Sequence, residues 1–240
     1  MTRSRRATLL LAALALCSTV QEASAQSVSV AQRENGMVLA LSSSLGPGIP
    51  VKVGMNTMYS IVGVLDVGLA LGFSHDPADA SEQSRIGLAY AATPLKQALG
   101  FPVSAHVYGD YTFVSERSDF LERNRLQRQA RGYTLGLAIV RDLSVTGVVS
   151  LRLAALGEYE NLVEETAATF DTAGFTGTSE VDYGEYPQVR RVDRTAGGGY
   201  AGIQFEFDSR LALIVGSAVV VDQELGLEVR PDIQVFLSRE

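Results

Sequence analysis

The nine residues Asp66-Val-Gly-Leu-Ala-Leu-Gly-Phe-Ser74 alternate without a break, Val67, Leu69, Leu71 and Phe73 pointing one way and Asp66, Gly68, Ala70, Gly72 and Ser74 the other. A period of two belongs to an extended strand, whose successive side chains leave opposite faces; in an amphipathic helix the apolar residues would recur every three or four positions. One face is wholly apolar, the other small or polar. Upstream, Val51-Lys-Val-Gly-Met-Asn-Thr-Met-Tyr-Ser-Ile61 alternates in the same way, and the few residues from Val62 to Leu65 are enough to reverse the chain. The two segments predict an antiparallel hairpin.

The pattern recurs in both directions. Ile86, Leu88 and Tyr90 stand against Arg85, Gly87 and Ala89; Tyr133, Leu135, Leu137 and Ile139 share a face of 132–140; Ala201, Ile203, Phe205 and Phe207 alternate with Gly202, Gln204, Glu206 and Asp208. Over the whole chain this predicts ten strands, near 36–44, 51–61, 66–75, 85–94, 102–115, 131–141, 145–158, 196–207, 210–221 and 229–238, or eight if the first hairpin is loose. Connections after the second, fourth, sixth and eighth strands are short, as at Asp142 to Ser144 and Asp208-Ser209. Those after the third, fifth and seventh are longer and polar, the last running from Tyr159 to Thr195. Short turns on one rim and long loops on the other are the arrangement of a bacterial transmembrane barrel.

A soluble β-sandwich would alternate too, so the distribution of charge decides between them. Lys52, Asp66, Arg85, Asp110, Arg152, Glu206, Arg230 and Asp232 all fall on one face, while the opposite faces of the same strands carry no charge. An uncharged apolar face suits lipid, and a charged one suits a barrel interior. Strands of about 9–11 residues also match a tilted bilayer crossing. Tyr59, Phe73, Tyr90, Phe101, Tyr111, Phe113, Tyr133, Phe205 and Phe207 fall mostly near strand ends, where they would form interfacial girdles. Aromatic preference for strands accounts for part of that pattern.

This arrangement resembles the small bacterial outer-membrane β-barrel proteins, the broad group of OmpA/OmpX-type and opacity-type barrels, over essentially all of residues 26–240. The hairpin of Val51–Ile61 and Leu65–Phe73 carries the resemblance. It implies an all-β fold, a single antiparallel up-and-down transmembrane β-barrel in a Gram-negative outer membrane. Outer-membrane lipid would surround it, and barrel-insertion machinery would place it there. Such chains usually end on an aromatic residue; this one ends Phe236-Leu-Ser-Arg-Glu240, although Ile233, Val235 and Leu237 keep the alternation.

The first 25 residues read as a cleaved export signal: Arg3, Arg5 and Arg6, an apolar run from Ala7 to Leu16, then Ala23-Ser24-Ala25 at the cleavage site. A run of ten residues is too short to span hydrocarbon as a helix. Cys17, the only cysteine, lies within it, and Leu16 stands where a lipoprotein signal wants a small residue. Removing Arg3, Arg5, Arg6 and Glu22 from 20 cations and 27 anions leaves 17 and 26. That acidic balance argues against nucleic acid as a partner.

Two histidines, His75 and His106, and no metal-ligand spacing give no case for a metal or other cofactor. Ser104, His106, Tyr108 and Asp110 share one strand face, but neighbours on that face are about 6.6 Å apart, so a catalytic array does not follow from spacing. They read instead as part of a polar network in the lumen: Lys52, Asp66, Arg85, His106, Tyr108, Asp110, Arg152, Glu206, Arg230 and Asp232. Gly197-Gly-Gly-Tyr-Ala-Gly202 fits the dinucleotide pattern G-x-G-x-x-G, yet it leads into a strand, not a helix; its glycines read as flexibility where a loop re-enters the barrel. Segment 158–195, with nine acids against three arginines, reads as a solvated loop, and 116–131, with Arg117, Arg123, Arg125, Arg128 and Arg131, as another that could meet anionic headgroups or sugars.

The expectation is a non-enzymatic barrel that presents extracellular loops in surface architecture, adhesion or envelope integrity, with an extracellular ligand that the sequence does not identify. Two alternatives stand beside it. Small inward residues such as Gly68, Gly72 and Gly136 leave room for a narrow porin-like path for small solutes, and His106 with Ser104 or Asp110 leaves a barrel enzyme acting on lipid or peptide.

Overall fold

The structure, a computed structural model, describes residues 35–45, 51–76, 80–169, 186–207, 210–223 and 226–238. The export signal lies outside these residues. Ten strands follow one another: β1 (Gly36–Ser44), β2 (Val51–Ile61), β3 (Leu65–Asp76), β4 (Ser81–Leu95), β5 (Ser104–Arg117), β6 (Leu126–Thr146), β7 (Val149–Ala168), β8 (Gln188–Glu206), β9 (Leu211–Asp222) and β10 (Gly226–Ser238). Each pairs antiparallel with its neighbour, and β1 pairs with β10, which closes the sheet into an up-and-down barrel. The first hairpin turns at Val62 and Gly63, both in the left-handed region at φ 54° and 57°. Glycine accepts that conformation without cost; at Val62 the backbone N–H donates to Asn35 Oδ1 at 2.9 Å.

Register fixes the shape. From Ala40, cross-strand partners lead through Asn56, Ala70, Gly87 and Thr112 to Gly132 of β6. The other way round they lead through Gln234, Ile214, Gln204 and Ser150 to Ser144 of the same strand, twelve residues further along. A stagger of twelve over ten strands sets a tilt of about 40° and a backbone radius of about 10 Å.

The outward positions form an apolar belt. Leu69, Leu88, Leu137, Ile203 and Val219 are all exposed, at 45–61%. Exposure of so many large apolar side chains at every outward position is what water would not tolerate and lipid requires. The aromatic residues expected at the interfaces are likewise on the outer surface; Tyr111 meets Phe113 edge-on at 5.3 Å, and Tyr133 lies 6.2 Å from Tyr159. No helix of the described residues is long and apolar enough to cross a membrane, and the strands do the crossing.

Three strands depart from expectation. β6, β7 and β8 have 21, 20 and 19 residues, well beyond the expected 131–141, 145–158 and 196–207. At the tilt above, β6 rises about 50 Å along the axis, twice the ~25 Å of an apolar band. The arginine-rich segment 116–131 and the described parts of the acidic segment 158–195 are therefore largely strand. Only α1 (Asp119–Arg123), capped by the Ser118 hydroxyl accepting from Leu121 N–H, interrupts the first of them. The glycines of Gly197–Gly202 also sit inside β8 and not at a loop junction. A Cβ at Gly198 would lie 2.0 Å from Val219 O, so close packing of the strands accounts for that one.

Candidate functional site

The inward positions stack in three layers. Nearest the loops, Arg85 (β4) reaches Asp110 Oδ2 at 3.1 Å, Thr112 Oγ1 at 2.9 Å and Glu160 Oε1 at 3.4 Å. Glu160 also faces Arg194 of β8 at 3.8 Å. Across the lumen Arg230 is held between Glu158 and Glu228, Ser44 donates to Glu228, and Tyr108 donates to Glu158 at 3.0 Å. Charges of both signs alternate, so each is neutralised where water is scarce.

Below these lies a mainly apolar layer, with Gln234 opposite Ile214 and Asp232 opposite Gly216 within it. Val38, Met58, Tyr108, Val140, Tyr200, Ile214, Val220 and Phe236 pack with a ring of alanines, including Ala70, Ala89 and Ala138. Small and large residues complement each other here. The Tyr108 ring covers Gly136, where a Cβ would fall 2.2 Å from it, and the Tyr200 hydroxyl covers Gly216, where a Cβ would fall 2.1 Å away. Of the glycines read from the sequence as room for a narrow path, Gly136 is the bed on which the Tyr108 ring lies, and Gly68 is closed by the Thr57 and Met58 backbone.

At the turn end, Arg152 is fully buried and grips Asp142 with Nε at 2.7 Å and a second nitrogen at 2.9 Å. Gln97 spans this pair's strand end, donating to Asp142 O and accepting from Asp142 N–H. His106 Nδ1 lies 3.0 Å from Thr93 Oγ1. Gln204 donates to Glu206 at 2.8 Å, and Gln234 donates to Asp232 at 2.6 Å.

All ten residues expected in the lumen network occupy inward positions, but they do not form one network. Arg85 and Asp110 meet in the upper layer with Arg230 and the Tyr108 hydroxyl on the opposite wall; Arg152, His106 and Glu206 belong to the lower one. Asp66 and Asp232 are buried beside them, and Lys52 lines the upper mouth. The expectation missed Asp142, Glu158, Glu160 and Glu228, the partners that complete each group. Glu158 already ended the expected seventh strand on the inward parity of Arg152, and Glu160 would have followed had that strand been carried past residue 158. Ser104 accepts from Gln97 N–H, His106 is occupied by Thr93 and Asp110 by Arg85, so these three do not converge. No group of three or more metal-ligating side chains occurs among the described residues.

Above the belt the inward faces continue as a funnel of ion pairs. Glu116 faces Arg128 across β5 and β6, with 2.9 Å between charges, while Glu164 lies opposite Arg190 and Glu160 opposite Arg194 across β7 and β8. A cavity of about 150 Å³ opens here, lined by Lys52, Arg85, Glu116, Arg128, Glu160 and Arg194 among others. On the outer wall of the same extension Asp193 accepts from the Tyr159 hydroxyl at 2.7 Å and from Asn161. Those two donors hold its carboxyl below the ordinary carboxylate value, Tyr159 contributing most.

No protein-family model and no curated protein sequence matches the chain. Among solved structures it is similar to the translocator domain of the autotransporter NalP from Neisseria meningitidis, at 11% identity over 85% of this chain and 87% of that one, with a TM-score of 0.43. It is also similar to the CymD monoaromatic hydrocarbon channel, at 9% identity over 88% and 90% with a TM-score of 0.36. The attachment invasion locus protein Ail of Yersinia pestis is a third, at 12% identity over 84% and 94% with a TM-score of 0.29. All three likenesses are low, and the fold rests on the strand order and side-chain faces described above.

Proposed function

We propose that this chain is a non-enzymatic outer-membrane barrel whose work is done by its extracellular end, in surface architecture, adhesion or envelope integrity. One observation carries the reading: side chains fill the middle of the lumen, with Tyr108, Tyr200, Ile214 and Phe236 packed among the buried Asp232 and Gln234, while β5 to β8 continue far beyond the lipid belt. A barrel of this width can be filled by its own side chains, and this filling, rings and aliphatic groups interleaved with engaged polar ones, leaves solutes no open path. The strands would be wasted length in a channel. As a scaffold they carry the loop ends of β5, β6, β7 and β8 well clear of the membrane.

The upper cavity suits a blind vestibule better than a pore mouth, since the apolar layer lies beneath it. Membrane residence is tested by outer-membrane fractionation with heat-modifiable gel mobility; a heat-insensitive protein in the soluble periplasm overturns it. Planar-bilayer recording tests the closed lumen: conductance no greater than that of bare lipid is expected, and discrete unitary steps would return the pore reading to first place.

A further inference from the structure

We propose that the outer wall of β4 to β7, where the belt meets water, binds the phosphate of an anionic membrane lipid, with Arg131 as its cationic contact. The proposal rests on the membrane reading of the exterior. Two neighbouring rows of outward residues make the site. The row nearer the belt is Ile86, Phe113, Arg131 and Val163, each directly opposite the next; the row above it is Ser84, Ser115, Gln129 and Glu165. Between them they line a groove of about 390 Å³ on the outside of the barrel.

The gradient along this groove is that of a lipid. Below it stand Leu88, Tyr111 and Tyr133, the aromatic margin of the belt. Ile86 and Phe113, 55% and 54% exposed, offer an apolar floor at the depth of the first acyl carbons. Arg131 lies one outward position above Tyr133 on β6, so its stem rests on apolar neighbours while the guanidinium reaches the headgroup plane. The Ser84 and Ser115 hydroxyls, the Gln129 amide and the Arg131 guanidinium are all donors. None of these side chains bonds to another described residue.

A set of unengaged donors around one cation matches a phosphate, whose oxygens only accept. Glu165 closes the far end of the groove with a negative charge. The site thus takes one anionic group, close to the belt, and disfavours a second further out. This also explains why Arg131, alone among the arginines of β6 near its loop end, faces away from the ion-pair funnel: Arg128 on the inward face is satisfied by Glu116.

The test uses the full barrel in nanodiscs of phosphatidylcholine mixed with phosphatidylglycerol, reading retained lipid by native mass spectrometry. Wild type is expected to enrich the anionic lipid about fivefold, the factor that one arginine near a negatively charged surface supplies. Arg131→Gln should remove the enrichment, while Arg123→Gln, on exposed α1, should keep it. Equal retention of both lipids by wild type, or equal loss in the two variants, overturns the site. Displacement of bound lipid by inorganic phosphate alone would also overturn the assignment to a lipid. Heat-modifiable mobility of each variant reports insertion separately, so a failed site and a failed membrane reading give different results.

Discussion

Arg152 and Asp142 face each other directly across β6 and β7, joined by two hydrogen bonds of 2.7 and 2.9 Å, with the guanidinium fully buried. Removing one partner of such a pair strands the other. Arg152→Met should therefore lower the unfolding free energy by about 3–5 kcal/mol. Replacing both, as Arg152→Met with Asp142→Leu, should recover most of the loss, because no uncompensated charge remains. Urea unfolding in detergent micelles measures this; a double variant no more stable than the single one would refute the pairing argument.

The apolar layer makes a second prediction. Phe236→Ala combined with Tyr108→Ala and Tyr200→Ala should hollow the lumen and raise single-channel conductance from the bare-lipid level to resolvable steps. The ion pairs above and below would then border a hydrated gap. A triple variant that stays folded by gel mobility yet remains silent would mean that the closure lies elsewhere.

Gly136 and Gly157 differ sharply although both lie in β-strands. A methyl group at Gly136 would meet the Tyr108 ring at 2.2 Å, whereas at Gly157 nothing lies within 4 Å. Gly136→Ala should cost about 1–3 kcal/mol through forced displacement of the ring. Gly157→Ala should be near neutral by the same unfolding assay.

Leu137, exposed to 49% on the outer wall, tests which solvent surrounds the barrel. Arginine there should destabilise the inserted barrel by about 2–4 kcal/mol and slow insertion into vesicles. In a water-soluble protein the same exchange at an exposed site would change stability by well under 1 kcal/mol.

Strong acid should loosen one cross-strand link of the extension. The Tyr159 and Asn161 donors depress the Asp193 carboxyl, so this cross-strand link contributes above the ordinary carboxylate value and is lost as pH falls through the lower folded one. Amide protection of β8 near Asp193, taken relative to the intrinsic exchange rate at each pH, should fall at low pH in wild type, and Asp193→Asn should remove that pH dependence.

The strand count and the inward parity of residues such as Arg85, Arg152 and Asp232 were legible because lipid imposes a rule on the outward face, which is uncharged along the belt apart from Arg141 near the turn end of β6. Above the belt that rule lapses, since water touches both faces. Arg128, Glu160, Glu164 and Arg190 then look like loop residues, although their pairing across strands is regular. The signal that survives there is complementarity, acids of one strand meeting arginines of the next. Closure of the lumen was illegible for another reason. Gly136 and Gly216 look like empty space in a sequence, and only the packed barrel reveals which tyrosines fill it.

Gly36 at the start of β1 lies opposite Ser238 at the end of β10. The seam of the cylinder thus joins the first and the last of the ten strands, and it stays unzipped until β10 has been made. A ribosome that stopped short of β10 would release an open ribbon with two raw margins, each an invitation to stick to whatever strand came next. The cell must therefore keep this polypeptide escorted until β10 has arrived.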